Sequence, residues 1–481
     1  MIEVAILGAG FSGICISIQL KKFGINSFEV FEKSPALGGT WHDNTYPGAA
    51  CDVPSHLYSF SFEIKDDWTR KYSGSKEIND YLNFCADKYE IRQNITFNTE
   101  IVSANFDNDE GVWVLESSTK QKYKARFLVS GLGQLNSAHI PYIKGQSEFK
   151  GRSFHSSHWD HSLGLEDKRI AVIGNGGSAV QFIPHVGTKA KKLTVYQRSA
   201  HWAMSRNDFA YSSFQKNIFK YLPFVQRIYR FFIWLQLGSN FYAIVKQTWY
   251  TKVVKKKIRE YLSSIIKDPI LLKKLIPDYE IGCKRLLVVE DYYETLVKDN
   301  VHVIDVPIKE ISENSVIDVN NNEEEVDVII YGTGFQTSKF FTPLEVTNHK
   351  NISLNEYWKQ GVKAHRGVMI AEFPNFFMLY GPNTNLGHNS IIFMIECQVK
   401  YTIKCIKKVV KLKKSIITPR EQAMNSYNKG LQEGLLGTVF SSNCNSWYKN
   451  EDGKILNNYD KGHLEYFLEN TYPKFSEYDL N

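Results

Sequence analysis

Two glycine-rich loops, each followed at the same distance by a charged residue, are the parts of this sequence best suited to chemistry. The loop GAGFSG begins at Gly8, and Glu32 stands 24 residues after that glycine. The loop GNGGSA begins at Gly174, and Arg198 stands 24 residues after it. Such glycines permit a tight turn and a close approach of the backbone to a pyrophosphate. The sequence therefore predicts two binding sites for dinucleotide cofactors.

The charge that follows each loop indicates which cofactor the loop binds. A carboxylate such as Glu32 accepts hydrogen bonds from ribose hydroxyls and repels a 2′-phosphate, so the first site suits FAD. The guanidinium of Arg198 can pair with phosphate through two hydrogen bonds, so the second site is predicted to prefer NADPH to NADH. The alternative interpretation is that Arg198 is an ordinary solvated surface residue.

The segments around the loops supply the elements that must hold them. A short apolar run at residues 4–7 precedes the first loop, an amphipathic helical pattern follows it, and FEVFEK is predicted to be a second strand. Residues 170–173 repeat this arrangement before the second loop, and LTVYQRS is the next strand. LYSFSFEI, at residues 57–64, alternates as a strand does. The order predicts an α/β fold with two Rossmann-like dinucleotide-binding domains.

Two longer patterns match those of a known family. FKGRSFHSSHWD fits FxGxxxHxxxW[P/D], and the loop PALGGTWHDNTYPGAACD fits [A/G]GxWxxxx[F/Y]P[G/M]xxxD. With the two dinucleotide loops, they make the chain resemble type I Baeyer-Villiger monooxygenases, of the flavin-containing monooxygenase superfamily. The fixed positions are filled by Phe149, Gly151, His155, Trp159 and Asp160 in the first pattern, and by Gly39, Trp41, Tyr46, Pro47, Gly48 and Asp52 in the second. Where several members have Tyr-Trp and Arg within the loop, this chain has His42, Asp43 and Thr45.

The resemblance implies a monooxygenase that uses FAD, NADPH and O2. In the family, NADPH reduces FAD, oxygen adds at the flavin C4a position, and the resulting peroxide inserts one oxygen atom into a ketone to give an ester or lactone. By the same resemblance Arg285 stabilises the peroxide anion, a role that suits a permanently charged guanidinium. Asp52 would orient Arg285 if the two face each other. Lys284 and Trp447 would contact the nicotinamide cofactor.

The predicted site combines these residues in three groups. The catalytic residues are Arg285 and Asp52. The cofactor-binding residues are Gly8, Gly10, Gly13, Glu32, Gly39, Thr40, Trp41, Asp52, Gly174, Gly176, Ser178, Ala179, Arg198, Lys284 and Trp447. The fingerprint residues are Phe149, Gly151, His155, Trp159 and Asp160, of which His155 is interpreted as a structural or hinge residue.

The predicted domain organisation follows the loops. Residues 1–148 and 331–481 are assigned to the FAD-binding domain, and residues 149–330 to the NADPH-binding domain. A helical insertion is predicted at about 202–277, where the pattern becomes aromatic and basic. It is interpreted either as helices packed on the domain or as a lid over an apolar pocket that touches lipid. Its longest apolar piece, residues 231–237, is too short to span a bilayer.

Composition restricts the remaining possibilities. The 481 residues carry a net charge of +7, a mild excess that fits anionic cofactors or a membrane surface as well as nucleic acid and does not by itself choose a partner. No nucleic-acid partner is predicted. Seven scattered cysteines argue against a disulfide framework or a metal site and favour the cytoplasm.

The main alternative function is oxidation of nitrogen or sulfur in small apolar substrates. A flavin-binding regulator without turnover and a membrane-surface protein are the non-enzymatic alternatives. The substrate and the oligomeric state are left open by the sequence.

Overall fold

The computed structural model describes residues 1–336, 341, 343–444, 446, 448–450 and 452–481. The strands are β1 (Ile2–Leu7), β2 (Phe28–Phe31), β3 (Ile95–Thr96), β4 (Ile101–Asp107), β5 (Val112–Ser117), β6 (Lys122–Ser130), β7 (Arg152–His155), β8 (Arg169–Ile173), β9 (Lys192–Tyr196), β10 (Ala203–Ser205), β11 (Leu287–Val289), β12 (Val301–Ile304), β13 (Ile308–Ile311), β14 (Ser315–Asp318), β15 (Glu323–Glu325), β16 (Val328–Tyr331), β17 (Glu345–Thr347), β18 (Phe376–Met378), β19 (Ile417–Pro419) and β20 (Tyr478–Leu480). The helices are α1 (Phe11–Lys22), α2 (Thr40–Asp43), α3 (Ser75–Lys88), α4 (Ala179–Gly187), α5 (Ser213–Tyr221), α6 (Pro223–Asn240), α7 (Trp249–Ile265), α8 (Pro269–Leu275), α9 (Tyr292–Leu296), α10 (Leu354–Tyr357), α11 (Ile391–Lys411), α12 (Glu421–Leu436) and α13 (His463–Glu469), with a π-helical turn at Phe241–Val245.

The first sheet holds the first glycine loop. Its strand order is β17-β4-β5-β6-β1-β2-β3, with β18 also paired to β6. β1 is parallel to both β2 and β6, and Val4, Ala5 and Ile6 are fully buried. A strand buried on both faces is expected in a parallel sheet covered by helices, which explains the apolar run in the sequence. The chain turns at the end of β1 and enters α1, and α11 packs against α1.

The second sheet holds the second glycine loop. Its strands follow the order β12-β9-β8-β16-β7, and every pair is parallel. After β16, strands β17 and β18 return to the first sheet. The predicted α/β class with two dinucleotide-binding units is confirmed. The assignment of domain boundaries stays a prediction.

One local prediction was wrong. Residues 57–64 form turns rather than a strand, because Leu57 and Tyr58 both donate backbone hydrogen bonds to the carbonyl of Pro54, and residues 57–60 are all buried. The start of the predicted helical insertion contains β10, which pairs in parallel with β11. The helices α5 to α8 follow it. Among the described residues, no helix is both long enough and apolar enough to cross a bilayer.

Candidate active site

A large cavity of about 1390 Å³ lies between the two glycine loops. Pockets for one drug-sized ligand usually measure roughly 300–1000 Å³, so this cavity has room for more than one molecule. It is lined by the predicted residues Gly8, Gly10, Glu32, Gly39, Thr40, Trp41, Asp52, Gly174, Gly176, Ser178, Arg198, Lys284 and Arg285. Gly13 and Ala179 do not line it, but they begin or continue the helices that follow the loops.

The first loop has the close backbone packing that a pyrophosphate site requires. Gly8 has a positive φ of 92°, and a Cβ atom on Gly13 would collide with the carbonyl oxygen of Gly8. A Cβ atom on Gly39 would lie 3.1 Å from the Cα atom of Gly10, so the backbone of the loop that contains Gly39 touches the backbone of the first glycine loop. A side chain at Gly13 would push α1 away from the first glycine loop, and a side chain at Gly39 would separate that loop from the loop that contains Gly39.

Glu32 holds the first loop from the neighbouring strand. Its Oε2 atom accepts a hydrogen bond of 2.7 Å from the backbone N–H of Ala9, and its Oε1 atom accepts one of 2.8 Å from Ser34. The side chain is buried except toward the cavity, which it lines. Because each carboxylate oxygen can accept more than one hydrogen bond, Glu32 can also receive ribose hydroxyls. The donor set therefore fits FAD.

The aromatic wall of the first site comes from the second family pattern. Trp41 lies in α2, and its Nε1 atom donates a hydrogen bond of 3.2 Å to the hydroxyl of Tyr58. The two rings pack edge to face at 5.5 Å. Gly39 precedes α2 with a φ of 54°, and Thr40 is its first residue, exposed to the cavity. This arrangement holds an indole ring where a flat cofactor ring could stack.

Two basic side chains, those of Arg198 and Lys284, line the cavity together with the second glycine loop. Gly174 has a φ of 104°, and a Cβ atom on it would collide with the carbonyl oxygen of Gly332. Lys284 Nζ donates a hydrogen bond of 2.7 Å to Ser199 Oγ. Burial and, second, the charge of Arg198 lower the pKa of Lys284. Within the described part of the chain no carboxylate pairs with Arg198, so its guanidinium is available to pair with a phosphate group.

Arg285 and Asp52 form an ion pair inside the cavity. The Arg285 Nε and Nη2 atoms donate hydrogen bonds of 3.1 and 2.5 Å to Asp52 Oδ2. The negative charge of Asp52 raises the pKa of Arg285 above its already high ordinary value, so the guanidinium stays charged. Burial raises the pKa of the nearby Tyr448 to about 12 and also raises that of Tyr380, so both phenols stay protonated. The arrangement keeps one fixed positive charge at the cavity surface.

Gln181 is a structural contact that the sequence patterns did not indicate. From α4 it donates a hydrogen bond of 2.9 Å to the carbonyl of Ala50 and accepts bonds from the Ala50 N–H at 3.3 Å and the Tyr46 hydroxyl at 3.0 Å. Gln181 therefore connects the loop that carries Asp52 to the helix after the second glycine loop. A glutamine within a helix carries no distinguishing pattern, so only the structure could reveal it.

The fingerprint residues lie outside the cavity. Trp159 packs against Phe154 and Phe182, with ring centroids 5.3 Å away in both cases. Asp160 Oδ1 accepts a hydrogen bond of 3.0 Å from the backbone N–H of Ser162. Phe149 packs against the core beneath the second sheet, and a Cβ atom on Gly151 would collide with a neighbouring carbonyl. Of the described residues that line the cavity, none belongs to the fingerprint.

His155 ends β7 next to the loop that borders the second glycine site. Its Nδ1 atom accepts a hydrogen bond of 3.2 Å from the backbone N–H of Ser157, and its ring packs edge to face on Phe335 at 5.5 Å. Burial lowers the pKa of His155 to about 4, so the imidazole is neutral at pH 7. Gly332 and Gly334, just before Phe335, line the cavity. His155 is therefore placed to support a cavity wall without entering the cavity.

Replacing His155 by alanine is expected to slow turnover on the order of tenfold and to weaken the coupling of NADPH consumption to product, because a displaced wall misaligns the bound reactants. FAD should stay bound, since no FAD-facing residue is changed. The measurements are the ratio of product to NADPH consumed and the visible absorbance of the purified protein. His155→Asn keeps an acceptor for Ser157 and should recover part of the loss. Loss of FAD from His155→Ala would contradict this role.

One cysteine expectation was wrong, and one predicted residue cannot be placed. Cys283, directly before Lys284, forms a disulfide with Cys444, although seven scattered cysteines gave no sign of one. The two are 161 residues apart, and only the fold brings them together. The free cysteines are all buried: Cys15, Cys51, Cys85, Cys397 and Cys405. Trp447 lies outside the described residues. Among the described residues, no cluster of side chains could hold a metal ion.

Comparison with known proteins places these features in context. A family model described as flavin-binding monooxygenase-like matches residues 2–429. A Baeyer-Villiger monooxygenase of Pseudomonas aeruginosa is 38% identical over 447 residues, which are 93% of this chain and 85% of that protein. A Baeyer-Villiger monooxygenase of Streptomyces coelicolor is 36% identical over 455 residues, 94% of this chain and 88% of that protein.

Solved structures are similar over the whole chain. The closed crystal structure of cyclohexanone monooxygenase has a TM-score of 0.89 and 25% identity, and the match covers 100% of this chain and 99% of that one. An oxidised steroid monooxygenase bound to NADP has a TM-score of 0.88 and 25% identity, with 99% of each chain covered. A complex of OTEMO with FAD and NADP has a TM-score of 0.88 and 25% identity, covering 100% and 99%.

Proposed function

The chain belongs to the flavin-binding monooxygenase-like family, and from that premise we propose that Arg285 and Asp52 are the catalytic pair of a Baeyer-Villiger enzyme. The protein is an FAD- and NADPH-dependent monooxygenase that inserts one oxygen atom of O2 into a ketone, giving an ester or lactone. The single observation that carries the residue assignment is the Arg285–Asp52 ion pair on the wall between the two glycine sites.

The residues that would hold each cofactor divide by site. The first glycine loop, Glu32 and the wall formed by Gly39, Thr40 and Trp41 would hold FAD. The second loop with Ser178, Arg198 and Lys284 would hold NADPH. FAD, when bound, would supply the redox chemistry between NADPH and O2. Trp447 is proposed to contact the nicotinamide cofactor, as the family pattern implies.

Arg285 would act through its fixed charge. Insertion into a ketone requires negative charge on the attacking oxygen, and a charged donor aimed at that position stabilises the transition state in a site that excludes water. The guanidinium cannot lose its proton under working conditions, so it cannot quench the nucleophile by giving up a proton. Asp52 accepts two of its N–H donors and thereby sets its orientation. Asp52 is thus a positioning residue for Arg285.

The substrate is proposed to be a small apolar ketone. Leu237, Ala243, Ile244, Ile391 and Ile395 line the cavity on the side of α6 and α11. Such a lining favours hydrocarbon next to the reacting carbonyl. Cytoplasmic location with peripheral membrane contact belongs to the same proposal.

A product comparison tests this function against oxidation of nitrogen or sulfur. FAD-loaded enzyme is supplied with NADPH, O2 and either a cyclic ketone or an alkyl aryl sulfide, and products are separated by mass. We expect the lactone to form with a higher kcat/KM than the sulfoxide. A sulfoxide without any ester or lactone, over a panel of linear, cyclic and aryl ketones, would overturn the proposal in favour of a heteroatom oxygenase.

Replacing Asp52 by asparagine is expected to lower kcat on the order of 10- to 100-fold, because Arg285 keeps its charge but loses its charged partner and its fixed orientation. The KM for NADPH should change little, since the phosphate-facing cations are untouched. Steady-state kinetics with a ketone measure both constants. Asp52→Glu retains the carboxylate and should recover part of kcat. Equal losses in both constants, without recovery by Asp52→Glu, would indicate a general structural defect instead.

A further inference from the structure

Helix α6 packs inward through the polar residues Gln226 and Arg230 as well as the apolar Ile233, and it exposes a row of large apolar side chains where an ordinary surface helix is polar. On the buried side, Gln226 Nε2 donates a hydrogen bond of 2.6 Å to the carbonyl of Lys65, and Arg230 donates bonds of 2.6 and 3.0 Å to the carbonyls of His56 and Ser59. The exposed side carries five large apolar residues, each 41–61% exposed: Phe224, Ile228, Phe231, Phe232 and Leu235. Their spacing places them on one stripe along the helix.

The neighbouring elements extend this exposed apolar surface. α5 packs against α6, and the π-helical turn at 241–245 connects α6 with α7. Large apolar side chains are exposed on each of them: Phe214 and Tyr221 on α5, Tyr242 on the π-helical turn, and Trp249 on α7. We call the exposed apolar side chains of α5, α6, the π-helical turn and Trp249 the aromatic face. Exposed apolar surface on this scale usually marks an interaction site.

The charged residues of the same segment are all basic. Residues 209–259 contain ten Lys or Arg residues and no Asp or Glu, so the rest of the chain carries a net charge of −3. Lys220, Arg227 and Lys252 are exposed. Within the described part of the chain none of these three pairs with a carboxylate. Basic residues around an aromatic surface complement an anionic lipid headgroup layer. A second copy of the chain would bring basic charge against basic charge, which disfavours dimerisation through this face.

The cavity reaches the surface beside the aromatic face. Gln236 on α6 and Tyr250 on α7 are both exposed, and both line the cavity. Leu237 and Ala243 continue the lining toward the interior. The C-terminal end of α6 therefore borders the cavity where the lining reaches exposed residues, and the apolar stripe of the same helix faces outward.

We infer that the aromatic face docks on an anionic lipid bilayer and that apolar ketones enter the cavity directly from the bilayer, beside the end of α6. The route for the ketone rests on the proposed function, whereas docking does not. The aromatic side chains insert at the headgroup boundary, the lysines and arginines contact anionic headgroups, and the opening at Gln236 and Tyr250 faces the acyl chains.

Flotation of the full-length, FAD-loaded protein tests the docking. Vesicles are made of phosphatidylcholine alone or of phosphatidylcholine mixed equally with phosphatidylglycerol. We expect the protein to float with the mixed vesicles and to remain largely unbound with the neutral ones. Ile228→Ser with Phe231→Ser and Phe232→Ser should reduce flotation about tenfold or more, because the inserted apolar area is removed. Lys220→Gln with Arg227→Gln should remove the preference for anionic vesicles.

Matched controls change equally exposed residues elsewhere. Tyr142→Ser removes an exposed aromatic ring, and Lys411→Gln with Lys413→Gln removes exposed charge at the end of α11. Both should float like the wild type. The docking inference is overturned if the wild type fails to float, or if the aromatic-face variant floats as well as the wild type. A dimer that the aromatic-face variant abolishes, without flotation of the wild type, would identify a second copy as the occupant and would also overturn it.

Turnover of two ketones separates the entry route from the proposed function. A long-chain ketone is delivered in the mixed vesicles, and a short water-soluble ketone is delivered in buffer. The aromatic-face variant should oxidise the vesicle-borne ketone about tenfold more slowly than the wild type and the short ketone at the same rate. Equal loss for both ketones, or loss for neither, overturns the entry route. Failure of the wild type to oxidise any ketone would overturn the proposed function and the route with it, while flotation would still decide the docking.

Discussion

Replacing Arg285 by alanine is expected to lower ketone turnover about 100- to 1000-fold, the loss typical of removing one donor that stabilises charge in a transition state. FAD should remain bound, because the first glycine loop and Glu32 are untouched. NADPH consumption is expected to continue at a slower rate and to yield hydrogen peroxide instead of ester. The measurements are ester formed, NADPH consumed and peroxide released, each per mole of bound FAD.

Two further variants make the Arg285 result interpretable. Arg285→Lys keeps a positive charge but cannot place two N–H donors on Asp52, so its turnover should lie between those of the wild type and Arg285→Ala. Arg420→Ala removes an exposed arginine at the start of α12 and should leave turnover unchanged. If Arg285→Ala forms ester at the wild-type rate with full coupling, the catalytic assignment of Arg285 is wrong.

Replacing Arg198 by alanine is expected to raise the KM for NADPH about 10- to 100-fold, because a charge-assisted hydrogen bond contributes roughly 1.5–3 kcal/mol. The KM for NADH should change little, since NADH lacks the 2′-phosphate. The ratio of kcat/KM for the two cofactors therefore measures the effect directly. Arg198 is exposed to the cavity, so folding should be unaffected. Equal losses with NADPH and NADH would contradict phosphate recognition by Arg198 and would favour a general effect on binding.

The two nucleotide units were predictable because their signals are local. A strand, a glycine loop and a helix occupy about 30 consecutive residues, and the glycine spacing is set by the tight turn between strand and helix, as in the contact of Gly13 with the carbonyl of Gly8. The equal spacing of Glu32 and Arg198 from their loops reflects the same strand-helix-strand geometry in both sheets. The strand predicted at residues 57–64 from alternating polarity is absent. Every position from 57 to 60 is buried, so the alternation in the sequence does not correspond to one buried and one exposed face.

The contacts between distant segments could not be read from the residues alone. Asp52 and Arg285 are 233 positions apart, and their pairing was expected only through the family resemblance. Gln181 and the Cys283–Cys444 disulfide have no local signature at all. The exposure of the apolar stripe of α6 could not be predicted either, because an apolar helical pattern predicts burial. The sequence does not reveal that Arg230, on the opposite side of the helix, makes the inward contacts.

The fingerprint at residues 149–160 identifies the family, but none of its residues lines the cavity where the reaction is proposed to occur. It distinguishes the family in the sequence, yet its side chains pack beneath the second sheet and beside the cavity wall. We propose that its physical contribution is to position that wall relative to the two glycine sites. The reacting groups, by contrast, are proposed to meet Arg285 and Asp52, which come from two loops far apart in the chain.

The most direct test of ketone oxygenation is the fate of isotopically labelled O2 in the wild-type protein. The FAD-loaded enzyme is incubated with NADPH, an apolar cyclic ketone and labelled O2, and the products are examined by mass spectrometry. We expect a lactone that carries one labelled oxygen atom, formed in proportion to the NADPH consumed. NADPH consumption that yields only labelled hydrogen peroxide or water, with the ketone recovered unchanged across the panel of ketones, would contradict a Baeyer-Villiger function.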